Sequence, residues 1–153
     1  MLTSNPGEWR RAIKGLVAGL DPDVDLLIGR EDPTGHHPLS FTLDGCRETL
    51  RLYDDQAVAL SSDEAVRCAV QLEIKSCLAL LRLKAEIFRA VRGAHPAARL
   101  RVVGPLACPG GEVAVEIKGG PGLPVTAARG RTYFEALQLL HNRVVAESPP
   151  GHR

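Results

Sequence analysis

The feature that most constrains the fold is a β-hairpin signal in the first third of the chain. Asp44-Gly45 lies between two runs in which apolar and polar residues alternate, Leu39–Leu43 and Thr49–Tyr53. A tight turn between antiparallel strands needs positive φ angles, which Asp and Gly tolerate better than most residues. The pattern therefore predicts antiparallel pairing and an antiparallel sheet at the centre of the fold.

A second strong signal predicts a long helix over residues 62–92. Ser61-Ser-Asp-Glu64 has the spacing of a capping box, and the helical pattern stops at Gly93-Ala-His-Pro96. At ~1.5 Å per residue such a helix is roughly 45 Å long. Its polar residues share one stripe, and the remaining apolar arc is wider than one side of a small sheet covers.

Shorter patterns complete the set of elements. They predict helices over Glu8–Leu20 and from Thr132 to Glu147, and strands at Val24–Gly29, Gln56–Leu60, Arg99–Val103 and Glu112–Lys118. Residues 31–38 have the composition of a loop. We therefore predict an α+β fold with an antiparallel sheet of five to six strands, a long central helix, and N- and C-terminal helices. Its order is α-β-β-β-(β)-α-β-β-α, in a single domain over residues 1–148 with a frayed tail at 149–153.

This order of elements resembles that of the small dimeric chaperones of type III secretion. The resemblance is one of element order, and the near-neutral charge of this chain departs from the acidic charge usual in that family. It implies a dimeric, chaperone-like domain that binds a protein partner.

Composition excludes several classes of protein. The chain has 153 residues, is 44% hydrophobic and carries 19 basic against 18 acidic residues, which excludes a disordered segment. No apolar run approaches the ~20 residues that a bilayer requires, and no secretory signal is visible, so we expect a cytoplasmic protein. The four cysteines include no pair at metal-binding or redox spacing; they are Cys46, Cys68, Cys77 and Cys108.

Charge is distributed unevenly along the chain. Residues 1–73 contain 13 acidic and 7 basic residues, whereas residues 74–153 contain 5 acidic and 12 basic residues. The basic second half predicts either a solvated surface or a site for nucleic acid or another polyanion over Lys75–Arg143. The candidate anion contacts are two arginines at the start of the last helix and two on a predicted strand: Arg129, Arg131, Arg99 and Arg101.

Motifs for catalysis or cofactor binding are missing from the sequence. There is no Gly-x-Ser-x-Gly and no phosphate-binding glycine loop, so the chain is more typical of a binding protein than of an enzyme. His36 and His37 are candidates for a metal site with Glu31 or Asp32. Because side chains of adjacent residues diverge, we predict instead two solvated loop histidines, and neither a metal nor a cofactor.

Two charges interrupt the apolar arc of the long helix and suggest a partner for it. Glu73 and Lys84 lie eleven residues apart, too far to pair within one helix. In an antiparallel pair of helices with a two-fold axis between Leu78 and Ala79, Glu73 of one chain lies opposite Lys84 of the other. The alternative is that both charges lie at the edge of the core with their stems packed on it.

We therefore predict a non-enzymatic protein-interaction module of adaptor or chaperone-like type. It is expected to be a homodimer through helix 62–92, and the predicted interface consists of Glu73, Cys77, Leu80 and Lys84. Binding of nucleic acid or a polyanion by the basic second half is the alternative, and a small enzyme with a scattered site is the third hypothesis.

Overall fold

The computed structural model describes residues 6–92, 97–104, 112–118 and 126–147, and it confirms the α+β class. The helices are α1 (Pro6–Leu20), α2 (Asp54–Ala59), α3 (Glu64–Arg92) and α4 (Tyr133–Glu147). The strands are β1 (Asp25–Ile28), β2 (His36–Leu43), β3 (Cys46–Tyr53), β4 (Arg99–Val103), β5 (Val113–Lys118) and β6 (Thr126–Gly130). The prediction of one sheet of five to six strands is wrong, because the strands form two separate three-stranded sheets.

The first sheet has the strand order β1-β2-β3 and contains the predicted hairpin. Asp44 and Gly45 both have positive φ, at 50° and 80°, so they form the expected tight turn. The turn fixes the register, which pairs His36 with Tyr53 at the far end of the hairpin. Alternate residues of β2 face inward and are buried; they are His37, Leu39, Phe41 and Leu43.

Two predictions for the surroundings of this hairpin are wrong. The segment expected to be a strand, Gln56–Leu60, falls mostly within helix α2, where Oε1 of Gln56 accepts the backbone N–H of Tyr53 at 3.0 Å. This bond satisfies an amide at the start of the helix, which favours a helical turn over a further strand. The histidines expected in a loop belong to β2, which already begins at His36.

Helix α3 extends to Arg92 as predicted, but it begins at Glu64. Its capping residue is Asp63 rather than Ser61, because Oδ1 of Asp63 accepts the backbone N–H groups of Ala65 and Val66 at 3.0 and 3.3 Å. Buried residues recur along the helix at helical spacing; they include Val70, Ile74, Leu78 and Leu81.

The second sheet has the order β4-β5-β6, and α4 packs on its strands β5 and β6. Strand β6 was not predicted, since its sequence Thr-Ala-Ala-Arg-Gly lacks the alternation of apolar residues that marks a strand. The predicted cap of the last helix is present, because the Thr132 hydroxyl oxygen accepts the N–H of Glu135 at 3.1 Å.

The chain divides into two compact units, Met1–Leu81 and Arg82–Arg153. Within the parts that the structure describes, no helix is long and apolar enough to cross a membrane. The single domain over residues 1–148 stays a prediction, and the tail at 149–153 lies outside the described residues.

Candidate functional site

The predicted dimer interface lies on α3, and its four residues differ in accessibility. Glu73 is exposed, whereas Leu80 and Lys84 are partly exposed. Cys77 is only 7% exposed, so most of its surface is already covered within the chain. Beside Glu73 lies Leu72, which is 63% exposed. The surface that α3 offers along the predicted interface therefore consists of Glu73, Leu80 and Lys84, whereas Leu72 points about 100° away from Glu73 around the helix.

Three of the four predicted anion contacts share one face of the second sheet. Arg99 of β4 is paired with Lys118 of β5. Ala114 of β5 is paired with Val103 of β4 on one side and with Arg129 of β6 on the other. Because paired residues point to the same side of a sheet and side chains alternate along a strand, Arg99, Arg101 and Arg129 share one face. We call this face the basic face; its charged residues are Arg99, Arg101, Lys118, Arg129 and Glu116.

The basic face is exposed at all four of its basic positions, and Glu116 is paired in register with Arg101. A shallow concavity of about 500 Å³ lies at its β4 edge, lined by Ala97, Arg99, Leu100, Arg101 and Lys118. The fourth predicted contact, Arg131, lies in the bend before α4, and its backbone N–H donates to Oε2 of Glu135 at 3.2 Å. The Arg131 amide is therefore already satisfied by the helix cap.

The first sheet carries a side-chain cluster that sequence reasoning did not assemble. His36 and His37 do diverge, as expected of consecutive strand residues, but His37 is a buried side chain with 6% exposure. Its Nε2 lies 2.9 Å from Oδ1 of Asp54, and its ring packs against Trp9 with the ring centroids 4.8 Å apart. Among the described residues, Glu31, His37 and Asp54 are the group whose potential metal-ligand atoms lie within 4.8 Å of one another.

A second hydrogen-bond network holds the loop between β1 and β2 on the opposite side of the strand. The Thr34 hydroxyl donates to Oδ1 of Asp32 at 2.6 Å and lies 2.7 Å from Nδ1 of His36. A hydroxyl that donates its one proton to Asp32 must accept from His36, so Nδ1 of His36 carries a proton. The same Asp32 oxygen accepts the backbone N–H groups of Thr34 and His36 at 2.9 and 3.0 Å.

These hydrogen bonds stabilise the charged form of Asp32. The Thr34 hydroxyl makes the largest contribution and the His36 amide the next, and together with smaller effects they lower the pKa of Asp32 from 3.8 to about 2. A carboxylate held in this way fixes the loop that carries its neighbour, Glu31.

Comparison with protein-family models, curated proteins and solved structures finds no match to this chain. Hypotheses about its function therefore depend on the three surfaces described above: the exposed part of α3, the basic face, and the cluster around His37.

Removing the Thr34 hydroxyl should raise the pKa of Asp32 from about 2 toward 3.8. Because the folded-state pKa lies below the unfolded one, Asp32 contributes stability above about pH 4 and loses it as the pH falls toward 2. Between about pH 4 and pH 2, the free energy of unfolding of Thr34→Ala should therefore fall less than that of the wild type. Carboxyl ¹³C shifts measured against pH report the pKa of Asp32 directly.

Thr49→Ala is the matched control for this experiment, since Thr49 is an exposed threonine on β3. It should leave the titration of Asp32 unchanged. A wild-type midpoint near 3.8, or the same midpoint in Thr34→Ala and wild type, would contradict the assignment.

One signal in the sequence does point to His37. The inward alternation of Leu39, Phe41 and Leu43 extends backward by one more step of two residues to position 37. The composition of residues 31–38 indicated a loop and hid this continuation, because Pro38 and Gly35 are typical of turns. Pro38 is nevertheless compatible with its place near the start of the strand.

Proposed function

We propose that this protein is a non-enzymatic protein-interaction module, adaptor-like or chaperone-like, that forms a homodimer through α3. The observation that carries the proposal is the partial exposure of Leu80, which lies between the exposed Glu73 and the partly exposed Lys84 on one face of a 29-residue helix. Exposed apolar area beside charged residues is typical of a contact surface between proteins.

Charge complementarity favours a second copy of the chain as the occupant of this surface. In an antiparallel arrangement with its axis between Leu78 and Ala79, Glu73 and Lys84 lie opposite each other twice, once on each side of the axis. Leu80 of each chain then lies near the axis, where an apolar side chain gains most from being covered. A single pair of opposite charges thus specifies both the register and the direction of the two helices.

Charge reversal tests this arrangement. Glu73→Lys places a lysine opposite Lys84 at both symmetric positions, so the dimer should dissociate at least about tenfold more readily, which corresponds to ~1.4 kcal/mol. Combining Glu73→Lys with Lys84→Glu restores opposite charges and should restore the dimer. Molar mass from multi-angle light scattering over a dilution series measures both effects.

Lys75→Glu is the control, because it reverses a charge by the same two units, in the opposite direction, at an exposed position of α3 that lies on a different side of the helix. It should leave the dimer intact. A wild-type monomer at micromolar concentration, or failure of the double variant to restore the dimer, would refute the proposal.

A second candidate function is supported by the basic face. Four exposed basic side chains and one acidic side chain lie on three adjacent strands, an arrangement that attracts phosphate groups over the area of the sheet. Arg99 and Arg101 on the edge strand β4 also have a simpler role, because charges on an edge strand prevent pairing with other sheets.

The same light-scattering experiment separates these functions when it is run at low and high salt with absorbance at 260 and 280 nm. A dimer that is stable in salt and free of nucleic acid supports the interaction module. A monomer that carries nucleic acid and releases it in salt supports the polyanion-binding function instead.

A further inference from the structure

The cluster around His37 combines groups from three separate segments of the first unit. Glu31 lies in the loop between β1 and β2, His37 lies on β2, and Asp54 is the first residue of α2. One nitrogen and two carboxylate oxygens from these residues lie within 4.8 Å of one another. Such a set contains three potential ligands and two negative charges around a single point.

The backbone around the cluster holds these groups in place. The N–H of Asp54 donates to the carbonyl of Gly35 at 3.1 Å, which ties the start of α2 to the β1–β2 loop. The N–H of Asp32 donates to the carbonyl of His36 at 2.7 Å, so the residue next to Glu31 is fixed to the strand that carries His37. Gly35 has a φ of 80°, a conformation that glycine adopts without strain.

Within the protein, this cluster has one proton donor for two carboxylates. Nε2 of His37 can donate at most one proton, and Asp54 lies 2.9 Å away to accept it. Glu31 has no hydrogen bond or ion pair with any residue that the structure describes. An ion bound at Nε2 would place the ring proton on Nδ1, which is buried and has no partner among the same residues. A cation at this point would be shared by both carboxylates and by the lone pair of Nε2.

The distances agree with those of a metal site. Metal–nitrogen and metal–oxygen bonds of ~2.0–2.2 Å at angles between 90° and 109° separate adjacent ligand atoms by about 2.8–3.6 Å. His37 and Asp54 already lie at 2.9 Å. Glu31 is exposed and needs only a modest side-chain rotation to approach from within 4.8 Å.

We propose that Glu31, His37 and Asp54 form a binding site for a divalent first-row transition-metal ion of the Zn²⁺ type. An imidazole nitrogen favours such ions over Mg²⁺ and Ca²⁺, which prefer sites made of oxygen ligands alone. Three protein ligands leave at least one coordination position for water, and the exposed carboxylates provide access from solvent. This site is independent of the dimer and of the basic face.

The single tryptophan of the chain provides a local readout for this proposal. Trp9 contacts the His37 ring, so an ion bound to that ring should change the fluorescence of Trp9. We expect Zn²⁺ added to chelator-treated protein to produce a saturable change with one ion per chain. Mg²⁺ at the same concentration should produce none.

Three variants decide between this site and binding elsewhere. Glu31→Gln and Asp54→Asn each remove one charged ligand from an accessible side chain, since the Asp54 side chain is 51% exposed, so both variants should fold. Each should raise the dissociation constant for Zn²⁺ by at least about tenfold. Asp55→Asn, at the neighbouring exposed carboxylate, should leave the constant unchanged.

Circular dichroism of each variant establishes that the fold is retained. The proposal is overturned if Zn²⁺ leaves the fluorescence and heat of titration of the wild type unchanged. It is equally overturned if Glu31→Gln and Asp54→Asn, while folded, bind Zn²⁺ as the wild type does, because the ion then lies on other groups such as the exposed Cys68 thiol.

Discussion

Replacing Trp9 by alanine is expected to lower the free energy of unfolding by about 3–5 kcal/mol. Trp9 is only 5% exposed, and its ring packs on His37, so the truncation leaves a cavity between α1 and the first sheet. Domains of this size are stabilised by about 5–15 kcal/mol in total, so the loss is a large part of the stability. Unfolding in urea followed by far-ultraviolet circular dichroism measures it, since the variant has no tryptophan to report by fluorescence.

Trp9→Phe is the matched control for this prediction. It keeps an aromatic ring at the same position and removes less volume, so it should lose clearly less stability than the alanine variant. Equal losses in the two variants, or a loss below about 1 kcal/mol in Trp9→Ala, would show that the packing of α1 on the sheet matters little.

Gly130→Ala should destabilise the second unit by about 1–3 kcal/mol, because it introduces a methyl group where there is no space. A Cβ atom at this position would lie 2.7 Å from the backbone nitrogen of Ala136 and 2.9 Å from Cβ of Glu135. Both atoms belong to the first turn of α4, so the helix must move away from β6 to accommodate the change. Urea unfolding curves give the difference in the free energy of unfolding.

Alanine at Gly15 should have the opposite effect and raise the free energy of unfolding. Gly15 is exposed within α1, and a Cβ atom there would have no neighbour within 4 Å. Because alanine favours the helix more than glycine does, Gly15→Ala should stabilise by about 0.5–1 kcal/mol. If Gly130→Ala also stabilises or has no effect, then the close approach of α4 to β6 is not a constraint on the fold.

Local signals in the sequence were enough to predict the hairpin and the long helix. Asp44-Gly45 fixes a turn by its own conformational preferences, and α3 has a continuous helical pattern as far as Arg92. Among the weaker patterns, the strand Arg99–Val103 has the predicted bounds, whereas Gln56–Leu60 falls mostly within helix α2 and β6 was missed. Strand β6 exists because it pairs with β5 and is covered by α4, and these contacts are invisible in five residues of its own sequence.

The candidate sites were predictable to different degrees. The basic face required only the strand register, because Arg99 and Arg101 were already placed two residues apart on one strand. The cluster around His37 depended on recognising that β2 begins at His36. With that start, the turn at Asp44-Gly45 places Tyr53 beside His36, and Asp54 follows directly. The sequence patterns placed the start of this strand at Leu39 instead of His36, and so the cluster was not predicted.

The hydrogen bond between His37 and Asp54 joins residues 17 positions apart in the chain. The hairpin turn lies between them, so the pairing of β2 with β3 brings both side chains together without help from distant segments. Contacts of such short sequence separation have a low entropy cost of loop closure. The three residues of this cluster all lie within residues 31–54, and none of them belongs to the second unit.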